Sequence, residues 1–161
     1  MISTTKPLPR RIGGWLLFAL ICLAAWTLCT AIAARDPLRL MLEWELLAVF
    51  VRHETQDWYR TVIAIVGFDV MTCVFIVAGA SWLALLVRRR AARFPAQVQA
   101  WLLAVVAMRI GGYLSGAYMS HAIGIEIALP LDGVVQAVIA AALGIPYFRW
   151  SRRVRETFVN A

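Results

Sequence analysis

Residues 62–87 read VIAIVGFDVMTCVFIVAGASWLALLV, and Arg88, Arg89 and Arg90 follow them directly. The only charged side chain within this stretch is Asp69. At about 1.5 Å per residue, a helix of this length exceeds the ~30 Å thickness of the hydrocarbon core of a bilayer. The stretch therefore predicts a transmembrane helix that leaves the membrane at the arginines.

Three other runs are similarly long and apolar, at residues 12–34, about 98–119 and about 131–148. The chain of 161 residues is 62% hydrophobic and 16% charged, with a mean hydropathy of +0.76. A water-soluble domain with this composition would expose much apolar surface. Helices satisfy their own backbone hydrogen bonds in lipid, and no strand alternation supports a barrel. We expect one all-α domain over residues 1–161, an integral membrane four-helix bundle.

The first run also resembles a cleaved secretion signal, because a basic start and an apolar stretch precede Ala31-Ile32-Ala33. The apolar region of a signal typically has ~7 to 15 residues, and the run at 12–34 is longer. We therefore expect a retained transmembrane helix.

The basic residues are unequally divided between the two sides that four crossings define. Eleven of the sixteen lie on the side of the chain termini, and four lie in the first connection on the opposite side. Because basic residues are retained in the cytoplasm, we expect both termini there, in the inner membrane of a bacterium. The arginines expected to anchor the cytoplasmic side are Arg88, Arg89, Arg90, Arg93, Arg152, Arg153 and Arg155.

The net charge of +7 has two interpretations. Basic residues near a membrane attract anionic headgroups, by about 1 kcal/mol each. Nucleic-acid binding requires basic residues gathered on a folded domain, whereas this chain distributes them over three short segments. We expect anionic lipid, and not nucleic acid, to be the partner of this charge.

The first connection, residues 35–61, is the longest. Its Asp36-Pro37-Leu38 is typical of a helix start, with Asp36 as N-cap and Pro37 at the first helical position. The following residues to Val51 are mostly apolar, but about 14 residues are too few to cross a bilayer. We expect a short helix that lies in the outer interface or caps the bundle; alternatively, it offers a docking surface to a partner.

Small residues recur every four positions in the third run, at Gly112, Gly116, Ser120 and Gly124. In lipid, such a stripe lets another helix approach closely. That helix belongs either to the same chain or to a second copy in a homodimer. Contact within the chain is favoured, because four spans have one another to pack against first.

Two charged residues fall inside the predicted spans, Asp69 and Arg109. A lone charge near the bilayer centre costs about 2.5 to 3.5 kcal/mol on insertion scales. Asp69 lies about 10 Å and Arg109 about 15 Å from the outer ends of their runs, a difference that a long arginine stem covers. We expect an ion pair that faces the bundle interior. It is either a structural lock between two helices or a polar site for an anion, a proton or a substrate headgroup.

Other chemistry is sparse in this sequence. Cys22, Cys29 and Cys73 lie in apolar runs without the close spacing of a zinc site or a disulfide. His53 and His121 lie in or beside outer connections, which does not suit paired haem ligands. No phosphate loop or nucleophile triad is recognisable. We expect no metal, no cofactor and no enzymatic activity.

The two ends of the chain resemble a known family. Arg11-Ile12-Gly13-Gly14-Trp15-Leu16 is similar to the start of the bacterial membrane family catalogued as domain of unknown function 2569. Ile145-Pro146-Tyr147-Phe148, followed by Ser151-Arg152-Arg153-Val154-Arg155-Glu156-Thr157-Phe158, is similar to its ending, with arginines in place of the family's usual lysines. The resemblance implies a four-span protein of the bacterial cytoplasmic membrane. The family has no established activity, so the resemblance implies no catalytic residue.

Two functions follow from these patterns. The sparse chemistry and the small-residue stripe favour an accessory or scaffold protein, which acts through helix contacts with a membrane-protein partner or a second copy. The charges of Asp69 and Arg109 favour a small transporter or channel, although no internal repeat is recognisable.

Overall fold

The computed structural model describes residues 14–43, 57–122, 124 and 131–158. The helices that these residues form are α1 (Trp15–Ala33), α2 (Arg35–Leu42), α3 (Asp57–Arg88), α4 (Phe94–Ala122), α5 (Asp132–Trp150) and α6 (Arg152–Thr157).

Four of these helices are long and apolar enough to cross a membrane: Trp15–Ala33, Ile63–Arg88 within α3, Phe94–Ala122 and Asp132–Trp150. The prediction of an all-helical protein with four apolar spans is confirmed. The third span begins at Phe94, four residues before the predicted position 98, and Pro95 lies in the first turn of α4. Proline is tolerated there, since the first N–H groups of a helix have no partner within it.

The predicted start of α2 is wrong, because Asp36 does not cap the helix and Pro37 is its third residue instead of its first. Only Ala34 separates α1 from α2, and it keeps a helical conformation with φ −73° and ψ −7°. A side-chain N-cap needs an extended backbone, so Asp36 instead lies in the first turn, where its charge complements the helix dipole. The segment 44–56, which contains much of the predicted interfacial helix, lies outside the described residues.

The helix α4 lies at the centre of the packing, between α3 and α5, while α1 and α2 pack against α3. Ile76, Leu83, Val98, Leu102 and Val105 are among the buried residues of the core. An edge-on contact between the rings of Trp26 and Trp101, with centroids 6.0 Å apart, joins α1 to α4. The four long helices have no distinct polar face, as is expected of helices in lipid.

A close approach between α3 and α4 occurs at Gly79. A Cβ atom at this position would overlap Nε1 of Trp101, whose side chain is buried. Only a residue without a side chain leaves room for the indole. The contact of α3 with α4 therefore depends on Gly79.

The C-terminal segment packs against the bundle. Val154, Thr157 and Phe158 are buried, and the ring of Phe158 lies 4.4 Å from that of Phe94 at the start of α4. Phe94 also contacts Phe148 edge-on, with centroids 5.7 Å apart. These contacts close the end of the bundle that carries the turn between α3 and α4.

Candidate functional site

Asp69 of α3 and Arg109 of α4 face each other across the contact between their helices. Arg109 Nη1 donates a hydrogen bond of 2.6 Å to Asp69 Oδ1. A charge-assisted contact of this length is among the strong hydrogen bonds of proteins. The two intramembrane charges thus compensate each other.

Arg109 is held by two further groups that were not singled out in the sequence. Its Nη2 donates to Cys73 Sγ at 3.7 Å, one helical turn beyond Asp69 on α3. From α5, Gly133 contacts the same side chain, since a Cβ there would lie 3.4 Å from Arg109 Nη1. The guanidinium is therefore enclosed between α3 and α5, with 18% of the side chain exposed.

The position of Cys73 could have been recognised, because it lies four residues after Asp69 and so shares its helix face. Nothing in the sequence singles out Gly133. Its contact with Arg109 depends on how α5 is placed beside α4, which local periodicity does not specify.

Asp69 is much more accessible than its partner. Its side chain is 47% exposed, compared with 18% for Arg109. A carboxylate has acceptor positions for several donors, and Arg109 Nη1 uses Oδ1. The open part of the pair is therefore the carboxylate.

A cavity of about 580 Å³ lies beside the pair. Asp69 and Arg109 both line it, and α2 contributes Pro37 while α5 contributes Gly133 and Val134. Most of its wall is apolar, including Phe68, Tyr113, Met108 and Met119. The participation of α2 places the cavity towards the end of the bundle opposite the turn between α3 and α4.

Only part of the predicted small-residue stripe lies on the packing face of α4. A Cβ at Gly112 would lie 2.8 Å from Cε1 of Phe68, so this glycine allows α3 to approach α4. Gly116 is buried and Ser120 is half-buried. Gly124 lies beyond the end of α4 with φ +68°, and its N–H donates to the carbonyl of His121. Gly124 therefore acts in the turn that follows α4, where a left-handed residue is favourable, and it is not part of the packing face.

A family model described as "Protein of unknown function (DUF2569)" matches residues 9–159. The chain belongs to this family. It is also similar to inner membrane protein YdgK of Escherichia coli (strain K12), with 28% identity over 161 residues and 99% of each chain covered. No solved structure matches the chain.

The resemblance that the two ends of the sequence indicated is confirmed by this match to DUF2569. The inner-membrane relative and the four apolar helices support an inner-membrane location for this DUF2569 protein. Among the residues that the structure describes, no three His, Cys, Asp or Glu side chains are grouped to hold a metal ion.

Most of the arginines expected to anchor the DUF2569 protein are exposed. The exposed side chains are those of Arg88, Arg89, Arg93 and Arg152. Arg90 is half-buried and takes a left-handed conformation, φ +50°, in the turn after α3. The side chains of Arg153 and Arg155 lie outside the described part. Contact of these residues with headgroups stays a prediction.

Proposed function

We propose that this protein is a small multi-pass protein of the bacterial inner membrane that binds a small ligand in the cavity beside Asp69 and Arg109, as a transporter or channel does. The observation that carries the proposal is that the ion pair lines an open cavity instead of being sealed between helices. This geometry favours a ligand site over the accessory role that the sequence alone favoured.

A purely structural lock explains the geometry less well. Burying two charges costs desolvation free energy. A structural ion pair recovers most of this cost when both partners are enclosed and fully hydrogen-bonded. Here Arg109 is enclosed, but nearly half of the Asp69 side chain is open. The lock between α3 and α4 and the binding of a ligand are compatible, since the bond from Arg109 engages Oδ1 of the Asp69 carboxylate and leaves acceptor positions of that carboxylate for a ligand.

The cavity has the size and composition of a small-molecule site. Its volume of about 580 Å³ falls within the range of about 300 to 1,000 Å³ that such sites occupy. Its wall is mostly apolar, with one charged pair that would fix the orientation of a ligand.

The proposed orientation places both termini in the cytoplasm. It is supported by the arginines of the turn between α3 and α4 and of the C-terminal segment, which lie on one side. The cavity lies towards the opposite end, where α2 contributes Pro37. With this orientation, a ligand enters from the outer side of the membrane or from its outer leaflet.

Native mass spectrometry of the protein purified in mild detergent tests the binding function. We expect wild-type protein to carry a bound small molecule, and Ser115→Trp, which fills the cavity, to lose it. Leu114→Trp is the matched control, because Leu114 is exposed on the same helix and does not line the cavity. Absence of any bound mass, or equal retention by Ser115→Trp, would contradict the proposal.

A second candidate is the accessory role, in which the protein acts through helix contacts. It is favoured by an apolar groove of about 470 Å³ between α1 and α3, lined in part by small residues. These are Ala24, Thr27, Ala80, Ser81 and Ala84. Small side chains allow a further helix to approach closely in lipid, whether from a membrane-protein partner or from a second copy.

Co-purification in mild detergent tests this second candidate. A stoichiometric partner or a homodimer that is retained by wild type and lost by Ala84→Leu would support it. Ala142→Leu is the control, since Ala142 is exposed on α5, away from the groove. A monomer without a partner would exclude the accessory role through this groove.

A further inference from the structure

We propose that the ligand of the cavity is an amphipathic cation, with an ammonium group that pairs with Asp69 and an apolar body that lies against the cavity wall. The inference rests on the proposed function and specifies its ligand class. Of the ligands that the sequence left open for this polar site, which were an anion, a proton and a substrate headgroup, it disfavours the anion.

Arg109 is poorly placed to receive an anion. Its Nη1 donates to Asp69 and its Nη2 to Cys73, while Gly133 of α5 lies against the guanidinium. These bonds leave other N–H donors of the guanidinium unused, but only 18% of the Arg109 side chain is exposed, compared with 47% of Asp69, so an anion reaches Arg109 less readily than a cation reaches Asp69.

Asp69 is well placed to receive a cation. It lines the cavity with 47% of its side chain exposed. A carboxylate has about four acceptor positions, so it can bridge Arg109 on one side and an ammonium group on the other. The second contact leaves the first intact, and the lock between α3 and α4 is kept while the ligand binds.

The wall of the cavity suits the same chemistry. Phe68 and Tyr113 provide aromatic faces, which attract an alkylammonium group by cation–π interaction. The ring of Phe68 lies close to Gly112, where a Cβ atom would be 2.8 Å from its Cε1. Met108 and Met119 add flexible, polarisable side chains that adapt to an apolar body of varied shape.

An ammonium group of this kind could come from the headgroup of a membrane lipid, such as phosphatidylethanolamine, or from a free amphipathic amine. The two sources share the chemistry that Asp69 recognises. They are separated by the lipid composition of the bilayer in which binding is measured.

The test uses two photoreactive probes of equal chain length, a diazirine-bearing dodecylammonium and a diazirine-bearing dodecyl phosphate. The protein is placed in nanodiscs of phosphatidylglycerol, which lacks an amine, and labelled positions are mapped by mass spectrometry. We expect the ammonium probe to label residues of α3 and α4 that line the cavity, around Phe68 and Met108. Mapping the positions separates binding in the cavity from general partition into lipid.

Asp69→Asn should lower this labelling at least about tenfold, the usual effect of losing a charged hydrogen-bond partner. Asp132→Asn is the matched control and should leave it unchanged, because Asp132 is exposed and does not line the cavity. If phosphatidylethanolamine in the nanodisc suppresses the labelling, the headgroup is the source of the cation. If it does not, a free amine is the ligand, and both results support the cation class.

The single variant leaves Arg109 without its counter-charge, which lowers stability, so Asp69→Asn/Arg109→Gln serves as a second variant without charge. We expect it to be produced stably and to lose the preference for the ammonium probe. Equal labelling of this double variant and the wild type would overturn the inference. Stronger labelling of the cavity by the phosphate probe would also overturn the inference. In that case the cavity would still bind a ligand, but an anionic one. Labelling of the cavity by neither probe overturns the inference, and the mass-spectrometric test above then decides whether the cavity binds any ligand.

Discussion

The guanidinium of Arg109 lies against the backbone of Gly133, so that a Cβ atom at position 133 would be 3.4 Å from Nη1 and 3.6 Å from Cδ. These are ordinary van der Waals distances. One methyl group fits beside the arginine, whereas a larger side chain would occupy the space of the guanidinium. The third helix of the site, α5, therefore limits where Arg109 can lie.

The effect of a substitution at Gly133 should consequently depend on the size of the new side chain. Gly133→Ala should leave ligand retention and thermal stability close to wild type. Gly133→Leu should displace Arg109 from Asp69, lower the melting temperature in detergent and abolish retention of the ligand. Equal behaviour of the two variants in native mass spectrometry and thermal unfolding would show that Gly133 does not position the arginine.

Removal of one charge of the pair should destabilise the protein more than removal of both. Asp69→Asn leaves a largely enclosed arginine without its counter-charge, at a cost of about 1–2 kcal/mol, below that of a fully buried pair because Asp69 is half exposed. Asp69→Asn/Arg109→Gln should regain most of this loss. The measurement is unfolding in mixed micelles, and a double variant less stable than Asp69→Asn would argue against a compensating pair.

Gly79 should tolerate no side chain, because its missing Cβ leaves the space that the Trp101 indole fills. Gly79→Ala should lower stability by about 1–3 kcal/mol, as overpacking does. Gly111→Ala is the control on the neighbouring helix, where a Cβ would meet nothing within 4 Å. There alanine should be neutral or stabilise the helix by up to about 1 kcal/mol. Unfolding curves that rank the two variants in the opposite order would contradict the packing of α3 on α4.

The burial of Phe158 predicts that the C-terminal segment is held against the bundle. Phe158→Ala removes the ring contact with Phe94 and should release α6. We expect limited proteolysis in inside-out vesicles to cleave the segment much faster in this variant than in wild type. Arg152→Ala is the control, since Arg152 is exposed. Rapid cleavage of the wild type would mean that the segment is not packed in the membrane-embedded protein.

The parts of the fold that hydropathy specifies were predictable from the sequence. Runs of apolar residues gave the four spans, and the cost of lone charges in lipid pointed to a contact between Asp69 and Arg109. The structure places the two groups 2.6 Å apart. The spans and the ion pair both follow from the free energy of placing apolar or charged side chains in lipid. This free energy can be estimated from the sequence without knowing the tertiary structure.

The remaining features depend on tertiary placement or on small local differences. The start of α2 was predicted at the wrong residue because Ala34 continues the helical conformation of α1, which the Asp36-Pro37 motif does not reveal. The cavity depends on how α2 and α5 lie beside α3 and α4. The burial of the C-terminal segment could have been recognised, since Val154, Thr157 and Phe158 have the spacing of one helix face.

We infer that the cavity lined by Asp69 and Arg109 opens to the side of the membrane opposite the arginine-rich turn. Cysteine accessibility tests it most directly, with Ser115→Cys and Arg89→Cys introduced singly after replacement of Cys22, Cys29 and Cys73. A membrane-impermeant maleimide should label Ser115→Cys in spheroplasts and Arg89→Cys only in inside-out vesicles. A cysteine at position 115 that stays unreactive, or that reacts only from the cytoplasmic side, would contradict the claim.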